Sequence, residues 1–152
     1  MDMNNNIGGA QPSKQTRRLY MLLLCAIGLG INFLLAKVPI ALNLPLFLDN
    51  VGSALAAALG GYIPGIVVGF FTNLINGIGA HETTYYGSLT VLIAICSAWF
   101  AEHGYYSKPW KLPGVVAVFA LIGGGLGSVL TWTLYGFEFG TSISAPLARR
   151  ML

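Results

Sequence analysis

"LNLPLFLDNVGSALAAALGGYIPGIVVGFFTNLINGI", residues 42–78, is almost entirely apolar, yet Asp49 and Asn50 interrupt it and Asn73 and Asn76 follow. A carboxylate and amides at these positions, with Asn43 near the start of the run, call for explanation, because burying them without partners is costly. Gly60-Gly61 and Pro64-Gly65 divide the run into two helices, residues 48–63 and 65–78. Each is about 15 residues, roughly 22 Å at 1.5 Å per residue, which is short for a hydrocarbon core about 30 Å thick. Helices this short and glycine-rich are tolerated at membrane depth only where neighbouring protein or a cavity satisfies the backbone.

The composition of the whole chain places that run in a bilayer. Of 152 residues, 55% are hydrophobic and 9% charged, where a soluble domain carries about 25% charged residues. Between Leu19 and Leu134 the charged residues are Lys37, Asp49, Glu82, Glu102, Lys108 and Lys111, all in places where loops would emerge. A soluble fold of this size needs a polar surface all round, and these residues cannot supply one. The fold class expected is an all-α integral membrane protein, a compact bundle of five to six transmembrane helices with short second and third helices.

Working outward, residues 1–17 are polar and read as a disordered cytoplasmic leader, residues 18–147 as the bundle, and 148–152 as a tail. The first span covers residues 19–36 and stops at Lys37, with Pro39 just beyond. Residues 38–47 carry Pro39 and Pro45 and read as a membrane-embedded or interfacial loop. "GAHETTYYG", residues 79–87, reads as a polar loop; the fourth span then runs over 86–100 and the fifth over 112–134. Tyr105, Tyr106 and Trp110 beside Lys108 and Lys111 have the look of an interfacial belt.

Lys14, Arg17, Arg18, Lys108 and Lys111 place the N-terminus and the fourth loop in the cytoplasm. Loops 37–48, 79–86 and 135–147 then share the outer face. Arg149-Arg150 breaks this pattern with five spans, and either a sixth helix beyond Leu152 or an unusual C-terminus would account for it.

Small residues recur four apart at Ala26 and Gly30, Ser53 and Ala57, Ala54 and Ala58, Gly65 and Gly69, and Gly123 and Gly127. This spacing lets helices approach closely in lipid, and Gly123–Gly125 is read as tight packing in the same way. Cys25 and Cys96 sit in apolar runs, far from any CxxC spacing, and read as packing thiols.

Motifs of metalloproteases, serine hydrolases and nucleotide-binding loops are absent, so a non-enzymatic protein without cofactor or metal is expected. No basic-aromatic interleaving points to nucleic acid. The candidates for chemistry are the polar groups at membrane depth. Asp49 reads either as the N-cap of the second helix or as a ligand contact. Asn73 and Asn76, three apart, share one helical face and either bond across helices or line a polar pocket. Asn43 and Asn50 flank Asp49, and Tyr85, Tyr86 and Glu138 fall on the same outer side, placed to close over a ligand.

The order "NLPLFLDNVGSALAAALGG" then "PGIVVGFFTNLI" resembles the substrate-binding S components of energy-coupling-factor vitamin transporters. The match covers residues 42–78, about a quarter of the chain. The resemblance implies a six-helix bundle with its vitamin-class ligand held under the outer loops. It also implies a bacterial plasma-membrane location, and a membrane coupling subunit and ATPases on separate chains, with Ala26 and Gly30 facing the coupling subunit. The same module resembles the vitamin-uptake-like sensor domains at the N-termini of bacterial signalling proteins. That alternative makes the chain a ligand-sensing domain whose effector lies outside it.

Overall fold

The computed structural model describes residues 13–42, 48–78 and 82–134. Residues 1–12, Asn43 and the loop around it, and everything after Leu134, including Glu138 and the expected sixth helix, lie outside the described residues. Helix α1 spans Lys14–Leu42. Ser13 opens it, its Oγ accepting from the Thr16 amide at 3.1 Å, an N-cap bond that satisfies one of the first-turn donors. Residues 14–17, assigned by sequence to the leader, are therefore helical. The helix also runs past Lys37 and through Pro39, where a stop was expected. Pro39 lies in the last turn, so it removes one bond and disturbs only the end of the helix, and in lipid an unpaired backbone costs more than a strained turn.

The quoted run forms α2, Val51–Gly60, and α3, Tyr62–Gly77. The two breaks expected at Gly60-Gly61 and Pro64-Gly65 are one. Gly61 makes the turn with φ of 84°, a left-handed conformation that glycine adopts without steric cost. Pro64 falls in the first turn of α3, where its missing N–H would have had no partner. The two helices then lie tightly together: a Cβ on Gly65 would stand 2.4 Å from the Ala57 Cβ.

Helix α4 spans Glu82–Glu102, beginning four residues before the expected span, so Tyr85 and Tyr86 are helical and not in a loop. A 3₁₀ turn, Pro109–Lys111, leads into α5, Leu112–Ala120, a π-helical stretch, Leu121–Leu126, and α6, Gly127–Leu134. Together these form the continuous fifth run expected. Among the described residues, the packing expected there is seen only at Gly127, which is buried with Leu89 3.6 Å from a Cβ built on it; nothing lies within 4 Å of a Cβ on Gly123 or Gly124. Three consecutive glycines remove the side-chain crowding that holds a helix to its usual pitch, and here the helix widens.

Three helices are long and apolar enough to cross a membrane: Lys14–Val38, Tyr85–Glu102 and Pro109–Leu134. The shorter α2–α3 hairpin packs between α1 and α4, and α5–α6 rests on α4. Leu22, Leu34, Ile63, Val116 and Leu121 are all exposed, a surface suited to lipid contact. The core is built of small residues, with Ala57, Ala94 and Ala98 fully buried and Tyr62 packed on them. Cys25 and Cys96 are free and half-buried.

Two ends of the bundle are distinguishable. At one, the α2–α3 turn lies by the first half of α1, with a Cβ on Gly60 placed 2.5 Å from Leu24, and Tyr62 donates to Glu102 at the end of α4 at 2.9 Å. Beside it Trp99 stacks on His103 at 4.1 Å and Lys111 lies 4.4 Å above the Tyr105 ring. At the other end, the second half of α1 meets the start of α2 and the end of α3, and these in turn meet α4 through Thr90. Five of the six buried polar residues, Asn32, Ser53, Thr72, Asn73 and Thr90, gather there.

Candidate functional site

Helix α2 begins without a cap of its own. Asn50, not Asp49, occupies the N-cap position, and its side chain makes no capping bond. The cap comes from another helix: Asn32 of α1 accepts from the Gly52 amide through Oδ1 at 2.6 Å. The Asn32 Nδ2 group donates to Ser53 Oγ and to Thr72 Oγ1, both at 2.9 Å. One fully buried amide thus ties α1 to α2 and α3. The contact requires glycine, because a Cβ on Gly52 would stand 2.0 Å from the Gly28 carbonyl oxygen and 2.7 Å from Asn32 Oδ1.

A second chain of bonds continues from this junction. Asn73 Nδ2 donates to the Gly69 carbonyl at 3.0 Å and to Thr90 Oγ1 at 2.9 Å. The Thr90 hydroxyl gives its proton to Asn50 Oδ1 at 2.6 Å, with the Tyr86 carbonyl at 3.3 Å as a weaker acceptor. Asn50 and Asn73, 23 positions apart in sequence, are brought together through a threonine of α4. Asn73 thus bonds across helices, and it also lines a cavity between α3 and α4. Its Oδ1 is buried and, among the described residues, is the buried side-chain polar atom left without a hydrogen-bond partner.

The other candidates disperse. Asn76 is half-buried one turn beyond Asn73. Tyr86 is held to α6, its hydroxyl 2.6 Å from Thr131 Oγ1, and Tyr85 is exposed. Asn43 and Glu138 lie outside the described residues. Ala26 and Gly30 are exposed on α1, with nothing within 4 Å of a Cβ on Gly30. Asn32, Ser53, Thr72 and Thr90 were missed by sequence reasoning. Asn32 is the sole amide in the run 19–36, and that rarity was a usable signal; the hydroxyls are lost among the small packing residues.

Asp49 sits in the turn before α2. Burial pushes its carboxyl above the ordinary carboxylate range, opposed in part by a backbone hydrogen bond. The folded state therefore holds the proton more tightly than the unfolded chain does. That favours the fold in acid, and the advantage is lost as pH rises through the raised value. The Asp49→Asn variant should melt higher than the parent at about pH 8, and the gap should close by about pH 4, near the ordinary range. Thermal midpoints in detergent at the two pH values check this, and an equal gap at both would assign the effect to packing.

No family model, curated protein sequence or solved structure matches the chain. What the fold and the site define is a membrane protein, helical throughout its described elements, in which five of six buried polar residues cluster at one end of the bundle and Ser97 bonds apart from them to the Ala54 carbonyl and Tyr106.

Proposed function

We propose that the chain is a non-enzymatic membrane bundle that binds a small, vitamin-class molecule and serves as the specificity subunit for its uptake, driven by separate energising subunits. Five helices cross or enter the bacterial plasma membrane, the N-terminus is cytoplasmic, and the ligand enters at the end where α2 begins. The observation that carries this reading is the convergence of Asn32, Asn50, Thr72, Asn73 and Thr90 at that end, with one buried acceptor left unmet. A chain with so few polar residues has placed them from four helices in one place. Lys108 and Lys111 belong to the opposite end, with the α2–α3 turn and the first half of α1, which supports a cytoplasmic assignment for that side.

Native mass spectrometry of the protein purified from its own membranes should detect a co-purified small molecule, and deletion should lower uptake of that molecule. A protein that carries no ligand, together with unchanged uptake on deletion, would remove the reading.

A further inference from the structure

We infer that the turn from Lys108 to Lys111 binds the headgroup of an anionic phospholipid, the phosphate lying on the two ammonium groups and the Trp110 indole among the glycerol esters. This surface is at the end of the bundle away from the polar cluster, and it is independent of what the bundle binds there.

The place of the turn in the fold points to lipid. One candidate membrane span ends at Glu102 and the next begins at Pro109. The chain leaves the bilayer and re-enters it over these few residues, so the turn lies at headgroup depth. Beyond it, Val116 and Leu121 are exposed along the entering span and face acyl chains. Trp110 is 94% exposed, more than any other large apolar side chain described. At that depth an indole sets its apolar body among the esters and its N–H toward the phosphate.

Charge selects the headgroup. Among the described residues this end carries Lys14, Arg17, Arg18, Lys108 and Lys111 against Glu102, whereas the other carries Lys37 against Asp49 and Glu82. Glu102 accepts from Tyr62, and no described carboxylate pairs with Lys108 or Lys111. A zwitterionic lipid offsets its phosphate with its own ammonium. An anionic lipid leaves a charge for the protein to meet, and basic residues at a membrane surface attract it.

The lysines are also held in place. The Lys111 amide donates to the Lys108 carbonyl at 2.9 Å, so one tight turn carries both. Lys111 Nζ lies 4.4 Å above the Tyr105 ring, a cation–π contact that restrains the side chain. The Tyr105 ring lies 5.0 Å from Phe100, and its amide donates to the Phe100 carbonyl at 2.9 Å. Tyr106 donates to Ser97 at 2.8 Å, since Ser97 gives its own proton to the Ala54 carbonyl. The loop is thereby fastened to α4 and α2, and little ordering remains to be done on binding.

Native mass spectrometry of the full chain, titrated with phosphatidylglycerol and with phosphatidylcholine of the same acyl chains, tests this. Phosphatidylglycerol should bind more tightly by about twenty-five-fold or more, roughly fivefold for each lysine. Lys108→Gln/Lys111→Gln should remove that factor, and Trp110→Ala should weaken both lipids and keep the preference. Lys108→Gln alone, an exposed side chain with no described partner to lose, should cut the preference about fivefold, and it serves if the double variant fails to fold. Lys37→Gln, at the other end, should change nothing. Equal binding of the two lipids to the parent would overturn the inference and leave the cations to an acidic protein segment. A preference undiminished in the lysine variants would overturn it too. So would displacement of the lipid by glycerol 3-phosphate, which would mark a site for soluble phosphate.

Discussion

Asn32→Leu is expected to lower stability by about 2–4 kcal/mol, the largest effect of any single polar change in the bundle. Side-chain hydrogen bonds within membrane proteins average about 0.6 kcal/mol each by double-mutant cycle. Asn32 makes three, to the Gly52 amide, Ser53 and Thr72. Leucine is close in volume, so little cavity cost is added, but it leaves the Gly52 N–H without its acceptor. A buried donor orphaned in this way costs about 1–3 kcal/mol by itself, and that term decides the total. The thermal midpoint in detergent should fall by roughly 5–12 °C. Thr72→Val removes one of the three bonds and the Thr72 bond to the Val68 carbonyl, but leaves the cap on Gly52 in place, and should cost less, about 1–2 kcal/mol. Were the two variants to melt together, the amide would not be what joins α1 to the hairpin.

Gly52→Ala should be at least as damaging, for a steric reason. The added methyl would stand 2.0 Å from one backbone oxygen and 2.9 Å from the carbonyl carbon bonded to it. Neither is the end of a flexible side chain, so α1 and α2 must separate, and the Asn32 bonds separate with them. We expect a loss of about 3 kcal/mol or more, combining overpacking with broken buried hydrogen bonds. Gly30→Ala is the control. It lies on the same helix as Gly28, two residues on, with nothing within 4 Å of its Cβ. Alanine there should stabilise by about 0.5–1 kcal/mol through helix propensity. Thermal midpoints of the two variants, with the yield of monodisperse protein, check both, and similar values would contradict the close approach of α1 to α2.

Much of the fold was legible in the residue pattern. Apolar runs with charges confined to their ends mark membrane helices whatever their neighbours, because hydrocarbon penalises each exposed polar group locally. Gly60-Gly61 announced a break for an equally local reason, and Gly61 makes it. The errors were local too. Lys37, Pro39 and the polar stretch before Tyr86 looked like helix ends, but a backbone in lipid gains more from its own hydrogen bonds than these residues lose by joining a helix. Of the Gly123 and Gly127 pair, only Gly127 meets a neighbour among the described residues, because spacing shows that a helix could be approached, not where another approaches it.

The site divides along the same line. Asn50 and Asn73 could be singled out from sequence because an amide in an apolar run is rare, and Asn32 had the same signal. What the sequence by itself determined is the membrane-embedded helical class and the short list of polar groups that must find partners. Only the tertiary structure decided the pairing: Asn32 caps α2 from α1, Thr90 joins Asn50 to Asn73, and the Asn73 oxygen is left unmet. Helical periodicity assigns a residue to a face of its own helix. A hydrogen bond between residues 20 to 40 positions apart depends on how helices cross, which is set where Gly28, Gly52, Gly65 and Ala57 bring the backbones together.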